Sequence, residues 1–282
     1  MNKIFKLFSI LSLVTIGFFA CRPDKYMLEA PLAKSALKFS VTRDATNPNK
    51  FILKSLTPNA QPYWETPVGT SVKLNDTIVV PFPGQDTIIY SVETPGGIVT
   101  ADPYAFEVTT IDEASISGPM WINLAGGFGK SKTSVLDVDA NGVSKYFYGP
   151  LYFAGPNYSW EWDAGWGSWV MPAADYGTMT FDLIGNANFS SDNKTLPEGL
   201  KTGKFMLYTA TNELKTYGAQ VIHDKAVNPD GSQSTGYRVV NWDAKVLIKS
   251  LDADHMQLVE VGDGGGIWLI YNYISKDYYD SH

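Results

Sequence analysis

Short runs of hydrophobic residues, spaced as in β-strands, recur along most of this chain. Residues 37–41 alternate between apolar and polar side chains, and residues 51–56 form a second, mostly apolar run. A period of two residues places neighbouring side chains on opposite faces of a strand. No segment keeps a hydrophobic period of about 3.6 residues over three turns, as an amphipathic helix would. The pattern therefore predicts an all-β chain.

Turn-forming residues divide the predicted strands into two groups. Proline- and glycine-rich breakers, such as 47–49 and 95–97, separate the strands of the first group. Six or seven short strands in residues 36–111 predict a small immunoglobulin-like β-sandwich. Residues 112–282 begin with a polar linker and then predict a larger, jelly-roll-like β-sandwich. Its last strand is expected to be central, with Trp268 in the core. The clearest predicted strands after the first two are 77–82, 86–92, 105–109, 121–124, 177–183, 203–209, 245–250, 256–261 and 267–274.

The first residues have the pattern of an export signal. A positively charged start precedes a short apolar stretch that ends at Cys21, the only cysteine. Such a stretch is too short to span a membrane comfortably. A small residue directly before the cysteine predicts a bacterial lipoprotein signal over residues 1–21, with Cys21 lipidated and a polar tether over 22–35. An ordinary secretory signal with a chance cysteine is the alternative.

Charge and cysteine content narrow the range of functions. The chain has 29 Asp and Glu residues against 22 Lys and Arg residues, for a net charge of −7. Nucleic-acid binding depends on Lys and Arg at phosphates, so the acidic balance argues against a nucleic-acid partner. Because no cysteine follows Cys21, neither a disulfide nor a thiolate metal site is expected after the signal. No cofactor is predicted, and a neutral or weakly polar ligand fits the composition better.

Four of the eight tryptophans lie within the ten residues 160–169. Trp160 and Trp162 are two residues apart, so on a strand they point the same way. Gly165 and Gly167 interrupt the strand pattern and predict a turn, a bulge or a loop. Flat rings suit the C–H faces of sugars and carboxylates suit their hydroxyls, and exposed aromatic clusters mark binding sites. Burial of two or three rings in the core is the alternative. The predicted ligand-binding residues are Trp160, Trp162, Trp166, Trp169, Glu161 and Asp163.

A metal site is not predicted, although one loop has part of the required pattern. Residues 137–142 match the opening of an EF-hand-type calcium loop, but Tyr148 stands where a bidentate Glu is needed. A hairpin turn, with Asn141 and Gly142 supplying positive φ, explains the same residues. The three histidines share no metal-binding spacing, since they are His223, His255 and His282.

Glycoside hydrolysis is the main enzymatic alternative, because it also requires acids beside a sugar. Glycosidases place two carboxylates about 5 Å apart for retention or about 6.5–9.5 Å apart for inversion. Glu161 and Asp163 are two residues apart and can share a strand face, and Glu260 with Asp263 is the next pair. The Glu-x-Asp-x-x-Glu run of β-sandwich glycosidases does not occur. No catalytic residue is therefore predicted.

The first unit resembles the PKD-type immunoglobulin-like domains of bacterial surface proteins. The matching pieces are Asn-Lys-Phe at 49–51, Pro-Tyr-Trp-Glu at 62–65 and Thr-Pro-Gly-Gly at 94–97. In that family a Gly-Asp-Gly turn usually follows the tryptophan, whereas Glu-Thr-Pro follows Trp64 here. The resemblance implies a spacer module in which Trp64 lies in the core.

The second unit resembles the C-terminal domains of surface glycan-binding lipoproteins encoded with SusC/SusD-type uptake systems of Bacteroidetes. The resemblance covers most of residues 120–274. It implies a non-catalytic, outer-membrane lipoprotein that binds polysaccharide or oligosaccharide, contacts the membrane through its lipid alone and works with a SusC/SusD-type complex. A surface adhesion protein that binds another protein is the second hypothesis, and a glycoside hydrolase is the third. The resemblance rests on the order of motifs at 137–139, 145–147, 149–153, 160–169, 179–183 and 268–272.

Overall fold

The computed structural model describes residues 29–162, 171–197, 199–224, 239, 241–243, 245–262 and 265–282. The described chain is all-β, as predicted, and contains two short α-helices, α1 (Pro119–Ala125) and α2 (Lys276–Ser281). Neither helix of these ranges has the length and apolar character needed to cross a membrane. The first eight strands are β1 (Phe39–Arg43), β2 (Lys50–Ser55), β3 (Gln61–Thr66), β4 (Gly69–Ser71), β5 (Asn75–Val79), β6 (Gly84–Thr94), β7 (Gly97–Thr100) and β8 (Tyr104–Val108). The next ten are β9 (Ser131–Leu136), β10 (Leu151–Ala154), β11 (Glu161–Trp162), β12 (Gly177–Asp182), β13 (Asn188–Asn193), β14 (Gly199–Tyr208), β15 (Glu213–Tyr217), β16 (Val246–Leu251), β17 (His255–Val261) and β18 (Trp268–Ser275).

Strands β1–β8 form the N-terminal sandwich. One sheet has the order β1-β2-β5, and the other has the order β4-β3-β6-β7, with β8 paired to the first half of β6. Alternate residues point inward, so that Phe51 and Leu53 from β2 share a core with Trp64 from β3. Trp64 is fully buried, and its Nε1 donates a hydrogen bond to the carbonyl of Lys73. The expected core position of Trp64 is confirmed.

Strands β9 and β12–β18 form a closed sheet of eight antiparallel strands. Each strand from β12 to β18 pairs with the next one along the chain, β9 pairs with β12, and β18 returns to pair with β9. This strand order is that of an up-and-down barrel, not of the jelly roll that the sequence predicts. Because each strand pairs with its neighbour in the chain, the twisted sheet curls until its two edges meet. The inward-facing side chains form its core and include Phe181, Phe189, Phe205, Leu214 and Leu258.

Two glycines allow strands of the closed sheet to approach backbone carbonyl groups very closely. A Cβ atom at Gly203 would lie 1.7 Å from the carbonyl oxygen of Tyr217. A Cβ atom at Gly177 would lie equally close, at 1.7 Å, to the carbonyl oxygen of Asp192. No side chain fits at that distance, so glycine is required at both positions.

Residues 121–124, predicted as a strand, belong to helix α1 instead. Pro119 stands at the first helical position, and Gly126 ends the helix with a φ of +82°. These are favourable start and stop residues for a helix, and a four-residue apolar window cannot by itself distinguish helix from strand. Trp121 lies in the core of the closed sheet. Its ring centroid is 5.7 Å from that of Phe82, which joins the N-terminal sandwich to the closed sheet.

A hairpin formed by β10 and β11 widens the sheet beside β18. The first half of β18 pairs with β10, and its last three residues pair with β9. Strand β11 is then added to the outer edge of β10. Because Glu161 and Trp162 make up β11, this hairpin positions two of the predicted ligand-binding residues.

Candidate functional site

Two of the larger surface cavities of the described structure lie on the closed sheet. The first, here named the aromatic groove, has a volume of about 510 Å³. The second, here named the side cleft, has a volume of about 600 Å³ and is lined mainly by residues of β13, β14 and β15. Only the aromatic groove contains residues that the sequence predicts for ligand binding. Its described lining residues are Phe147, Tyr148, Tyr152, Glu161, Trp162, Lys249, Gln257 and Asn272.

Strand β11 brings Glu161 and Trp162 to the aromatic groove from opposite faces of the hairpin. Trp162 pairs with Phe153, and the two ring centroids are 5.8 Å apart. Glu161 pairs with Ala154, which belongs to a small apolar cluster on the outer face of the sheet. The Trp162 side chain remains 49% exposed despite its contact with Phe153. About half of this large ring is therefore open to solvent at the groove.

Trp160 lies immediately before β11 and outside the groove lining, although it is 43% exposed. Its ring packs against Gly155, where an added Cβ atom would lie 2.4 Å from the indole nitrogen. The carbonyl of Trp160 also accepts a hydrogen bond from the Gly155 N–H, which closes the hairpin. Trp166, Trp169 and Asp163 lie outside the described residues, so their assignment to the site stays a prediction.

A buried carboxylate orders the loop that brings Phe147 and Tyr148 to the aromatic groove. Burial raises the pKa of this carboxyl group, Asp137, and outweighs the hydrogen bonds that lower it. Asp139 accepts two further backbone N–H groups in the same loop, and Gly142 has the positive φ expected at the turn. The acidic residues of the calcium-like sequence therefore hold the loop backbone in place. The groups that donate to Asp137, at 2.5–3.1 Å, are the backbone N–H groups of Lys145, Tyr146 and Phe147.

Lys249 reaches the aromatic groove from an irregularity in β16. Ile248 pairs with Leu258 and Ser250 pairs with Gln257, so Lys249 is the extra residue of a β-bulge. A bulge changes the direction in which side chains point. Lys249 and Ser250 consequently both contact groups on the outer face, which strict alternation along a strand does not allow.

The ammonium group of Lys249 connects the closed sheet to the hairpin. It donates hydrogen bonds to the carboxylate of Glu161, at 2.5 Å, and to the hydroxyl oxygen of Tyr152. It also lies 4.7 Å from the ring centroid of Tyr158. Burial lowers the pKa of Lys249, but the hydrogen bonds and charge interactions with Glu161 and Tyr152 together raise it by more. The ammonium therefore stays charged at neutral pH and fixes the position of Glu161.

A series of side-chain hydrogen bonds forms the polar floor of the aromatic groove. Ser250 donates to Oε1 of Gln257 at 3.0 Å, and Nε2 of Gln257 donates to Oδ1 of Asn272 at 2.9 Å. Nδ2 of Asn272 then donates to the carbonyl of Gly149 at 2.8 Å. An amide side chain offers two N–H donors and two acceptor lone pairs. The partly exposed Gln257 thus retains one donor and one acceptor position for a ligand.

The aromatic groove has the chemistry of a site for a polar but uncharged ligand. Its described lining residues include one carboxylate, Glu161, and one ammonium group, Lys249, and these two charges compensate each other. The remaining side chains supply aromatic rings, phenol hydroxyls and amides. Ligand sites of this kind combine apolar contact area with a few fixed polar groups that orient the ligand.

Two other residues considered in the sequence lie outside the groove lining. Glu260 points into the core of the closed sheet, where burial raises its pKa to about 9. It is therefore neutral at pH 7, and its proposed companion Asp263 is outside the described residues. Trp268, expected in the core, is only partly buried on the outer face of β18, where it packs beside Ile270 and against Tyr158.

Local sequence patterns do not identify Lys249, Tyr152, Gln257 and Asn272 as site residues. Gln257 and Asn272 are polar positions between apolar neighbours, which is a sign that they face outward on their strands. Nothing in the local pattern shows that the two strands are adjacent or that Lys249 meets Tyr152 and Glu161. The sequence matches no protein-family model and no curated protein, so the geometry of the groove carries the functional argument.

Proposed function

We propose that this protein binds a polysaccharide or oligosaccharide in the aromatic groove and does not act on it chemically. The observation that supports this proposal is that the half-exposed Trp162 and the Lys249–Glu161 ion pair line the same groove. Sugars present apolar C–H faces and many hydroxyl groups in one molecule. A groove that contains a tryptophan ring, a charged pair and amide groups complements both features.

The energetics favour binding through several modest contacts. An aromatic contact contributes about 0.5–1.5 kcal/mol beyond burial, by analogy with pairs of aromatic rings. Micromolar affinity requires about −8 kcal/mol. Trp162 and Tyr148 therefore do not suffice alone, and hydrogen bonds from Lys249 and Gln257 or repeated binding along a polymer must contribute.

Binding without hydrolysis is favoured by the number of carboxylates among the described lining residues of the groove. Cleavage of a glycosidic bond generally needs two carboxylates on either side of it. Among the described lining residues only Glu161 is a carboxylate, and it accepts a hydrogen bond from Lys249 at 2.5 Å.

We also propose that the protein is anchored at the outer membrane through lipidated Cys21, with the N-terminal sandwich as a spacer. Cys21 lies outside the described residues, so this proposal is supported by the sequence pattern alone. A Cys21→Ser variant should leave the membrane fraction of the exporting cell. Membrane retention at the wild-type level would contradict the lipid anchor.

The groove proposal is tested with the variant Trp162→Ala. A glycan array on the wild-type protein first identifies the saccharide that binds most strongly, and calorimetry then measures its affinity for both proteins. We expect at least a tenfold loss of affinity, about 1.4 kcal/mol, because the largest ring of the groove is removed. The free energy of unfolding should change by less than about 1 kcal/mol, since half of the ring is already in solvent.

Tyr63→Ala is the matched control, because Tyr63 is an exposed aromatic residue of β3 in the N-terminal sandwich. It should bind the same saccharide with the wild-type affinity. Equal affinity of Trp162→Ala and wild type would place the ligand elsewhere. If no saccharide on the array binds the wild-type protein, the proposed function is wrong.

A further inference from the structure

The side cleft opens where two neighbouring strands of the closed sheet separate. Strand β15 ends at Tyr217, which pairs with Lys204, so the first five residues of β14 pair with β13 alone. The chain turns away at Gly218, whose φ is +80°. The resulting gap in the sheet opens a path from the surface to inward-facing side chains of β13 and β15.

Two buried hydroxyl groups face this gap. Ser191 of β13 and Thr216 of β15 line the side cleft and are only 3% and 8% exposed. Within the described part of the chain, neither side-chain hydroxyl takes part in a hydrogen bond. Both hydroxyls can therefore form a hydrogen bond with water or with a polar group of a ligand in the cleft.

Two lysines give the side cleft a positive character. Lys201 pairs with Ser191 in the sheet register, and Lys215 lies 5.0 Å from the ring centroid of Tyr217. Neither lysine forms a salt bridge with any described residue, whereas Lys194, Lys245, Lys249 and Lys276 all do. The cleft lining also contains one acid, Asp243, which accepts a hydrogen bond from Gln220 at 3.2 Å.

The remaining walls of the side cleft are apolar or aromatic. Leu196 and Ala219 contribute aliphatic surface, and the exposed Tyr217 contributes a ring. A ligand there meets hydrophobic contacts on one side and hydroxyl and ammonium donors on the other. Donors in excess of acceptors favour a negatively charged group.

We infer that the side cleft is a second ligand site, separate from the aromatic groove, that binds a small organic anion. The anionic group, a carboxylate, sulfate or phosphate, is held by Lys201, Ser191 and Thr216. Its apolar body packs against Leu196 and Ala219. An acidic chain repels anions over long distances, so the unpaired lysines of the cleft are needed to offset this repulsion locally.

Two dyes that differ in one charge test this inference on the full folded chain. Anilinonaphthalene sulfonate carries a sulfonate on an aromatic body, and phenylnaphthylamine has the same ring system without the sulfonate. Fluorescence titration at low ionic strength should show that anilinonaphthalene sulfonate binds at least tenfold more tightly than phenylnaphthylamine. The affinity for anilinonaphthalene sulfonate should fall as salt is added, because salt screens the charge that the cleft recognises.

Single substitutions then locate the bound dye. Lys201→Met and Lys215→Met should each weaken binding of the sulfonate at least threefold, and Ser191→Ala should weaken it without loss of the folded state. Lys54→Met is the matched control, because it removes the same charge from an exposed position of β2 in the N-terminal sandwich. It should bind the sulfonate as the wild type does.

Three results would overturn the second site. The first is equal affinity for the two dyes, which indicates apolar binding alone. The second is wild-type affinity in both Lys201→Met and Lys215→Met. The third is a loss in Lys54→Met as large as that in Lys201→Met, which indicates an effect of net charge and not of the cleft.

Discussion

Strands β17 and β18 present two faces of opposite character, although the residues of the two faces alternate along each strand. Leu258 and Tyr271 form one cross-strand pair that points into the closed sheet and is fully buried. Gln257 and Asn272 form the adjacent pair, which points outward and lines the aromatic groove. Because successive side chains point to opposite faces, the same two strands supply both the core and the candidate site. Changes on the inner face should affect stability, and changes on the outer face should affect binding.

Polar atoms on the inner face are hydrogen-bonded or kept neutral. The hydroxyl of Tyr273 donates to the carbonyl of Ile222 at 2.8 Å, and that of Tyr271 donates to the carboxylate of Asp224 at 3.2 Å. Burial raises the pKa of both tyrosines well above the ordinary value, so both stay protonated. Burial also keeps Glu260 neutral at pH 7, although one of its buried oxygens has no hydrogen-bond partner in the described chain.

The largest effect is expected from Tyr271→Ala on the inner face. This change removes a ring with no exposed surface and a hydrogen bond to Asp224. The free energy of unfolding, measured by urea denaturation, should fall by about 3–5 kcal/mol. Tyr63→Ala, at an exposed position of the N-terminal sandwich, should change it by less than about 0.5 kcal/mol. Equal losses in the two variants would contradict the distinction between core and surface.

A smaller, pH-dependent effect is expected from Glu260→Gln. Burial raises the pKa of Glu260 from 4.5 to about 9 in the folded state. Between these values the unfolded chain releases this proton while the folded chain keeps it. The contribution of Glu260 to stability is therefore fully present below pH 4.5 and falls as the pH rises to about 9. The glutamine variant should lack this fall and be more stable by roughly 1–3 kcal/mol near pH 8.

Urea denaturation at a series of pH values checks this prediction. Glu93→Gln provides the control, because Glu93 is an exposed carboxylate of β6. It should keep the wild-type dependence of stability on pH. If Glu260→Gln shows the same pH dependence as wild type, the buried carboxyl does not titrate as described here.

The smallest effect on stability is expected from exchange of the ion pair on the outer face. Lys249 and Glu161 are both partly exposed, and such pairs contribute about 0–1 kcal/mol. Lys249→Glu and Glu161→Lys should each lower saccharide affinity at least fivefold, because like charges then repel and move β11. The double variant restores opposite charges and should recover much of the affinity, as measured by calorimetry. If the loss of saccharide affinity in the double variant equals the product of the losses in the two single variants, the ion pair does not position Glu161 in the groove.

Part of this structure was predictable from the sequence because it depends on neighbours in the chain. Alternating and apolar runs predict the all-β class, and the core position of Trp64 follows from the resemblance of the first unit to known domains. The turn at Gly142 follows from the special backbone conformation of glycine. The tryptophan-rich stretch also predicts Glu161 and Trp162 as ligand-binding residues, and both line one groove in the structure.

The sequence by itself thus determined the all-β class, most of the extended segments and turns, and which stretch is rich in aromatic residues. Only the tertiary structure decided that β18 closes on β9, that Lys249 meets Glu161 of the hairpin, and that Gln257 lies beside Asn272. The reason is physical: strand propensity and turn chemistry act between residues near in sequence, whereas strand pairing depends on contacts between distant ones. A local pattern can show that a side chain faces outward, but only the pairing of strands determines which other side chains it meets.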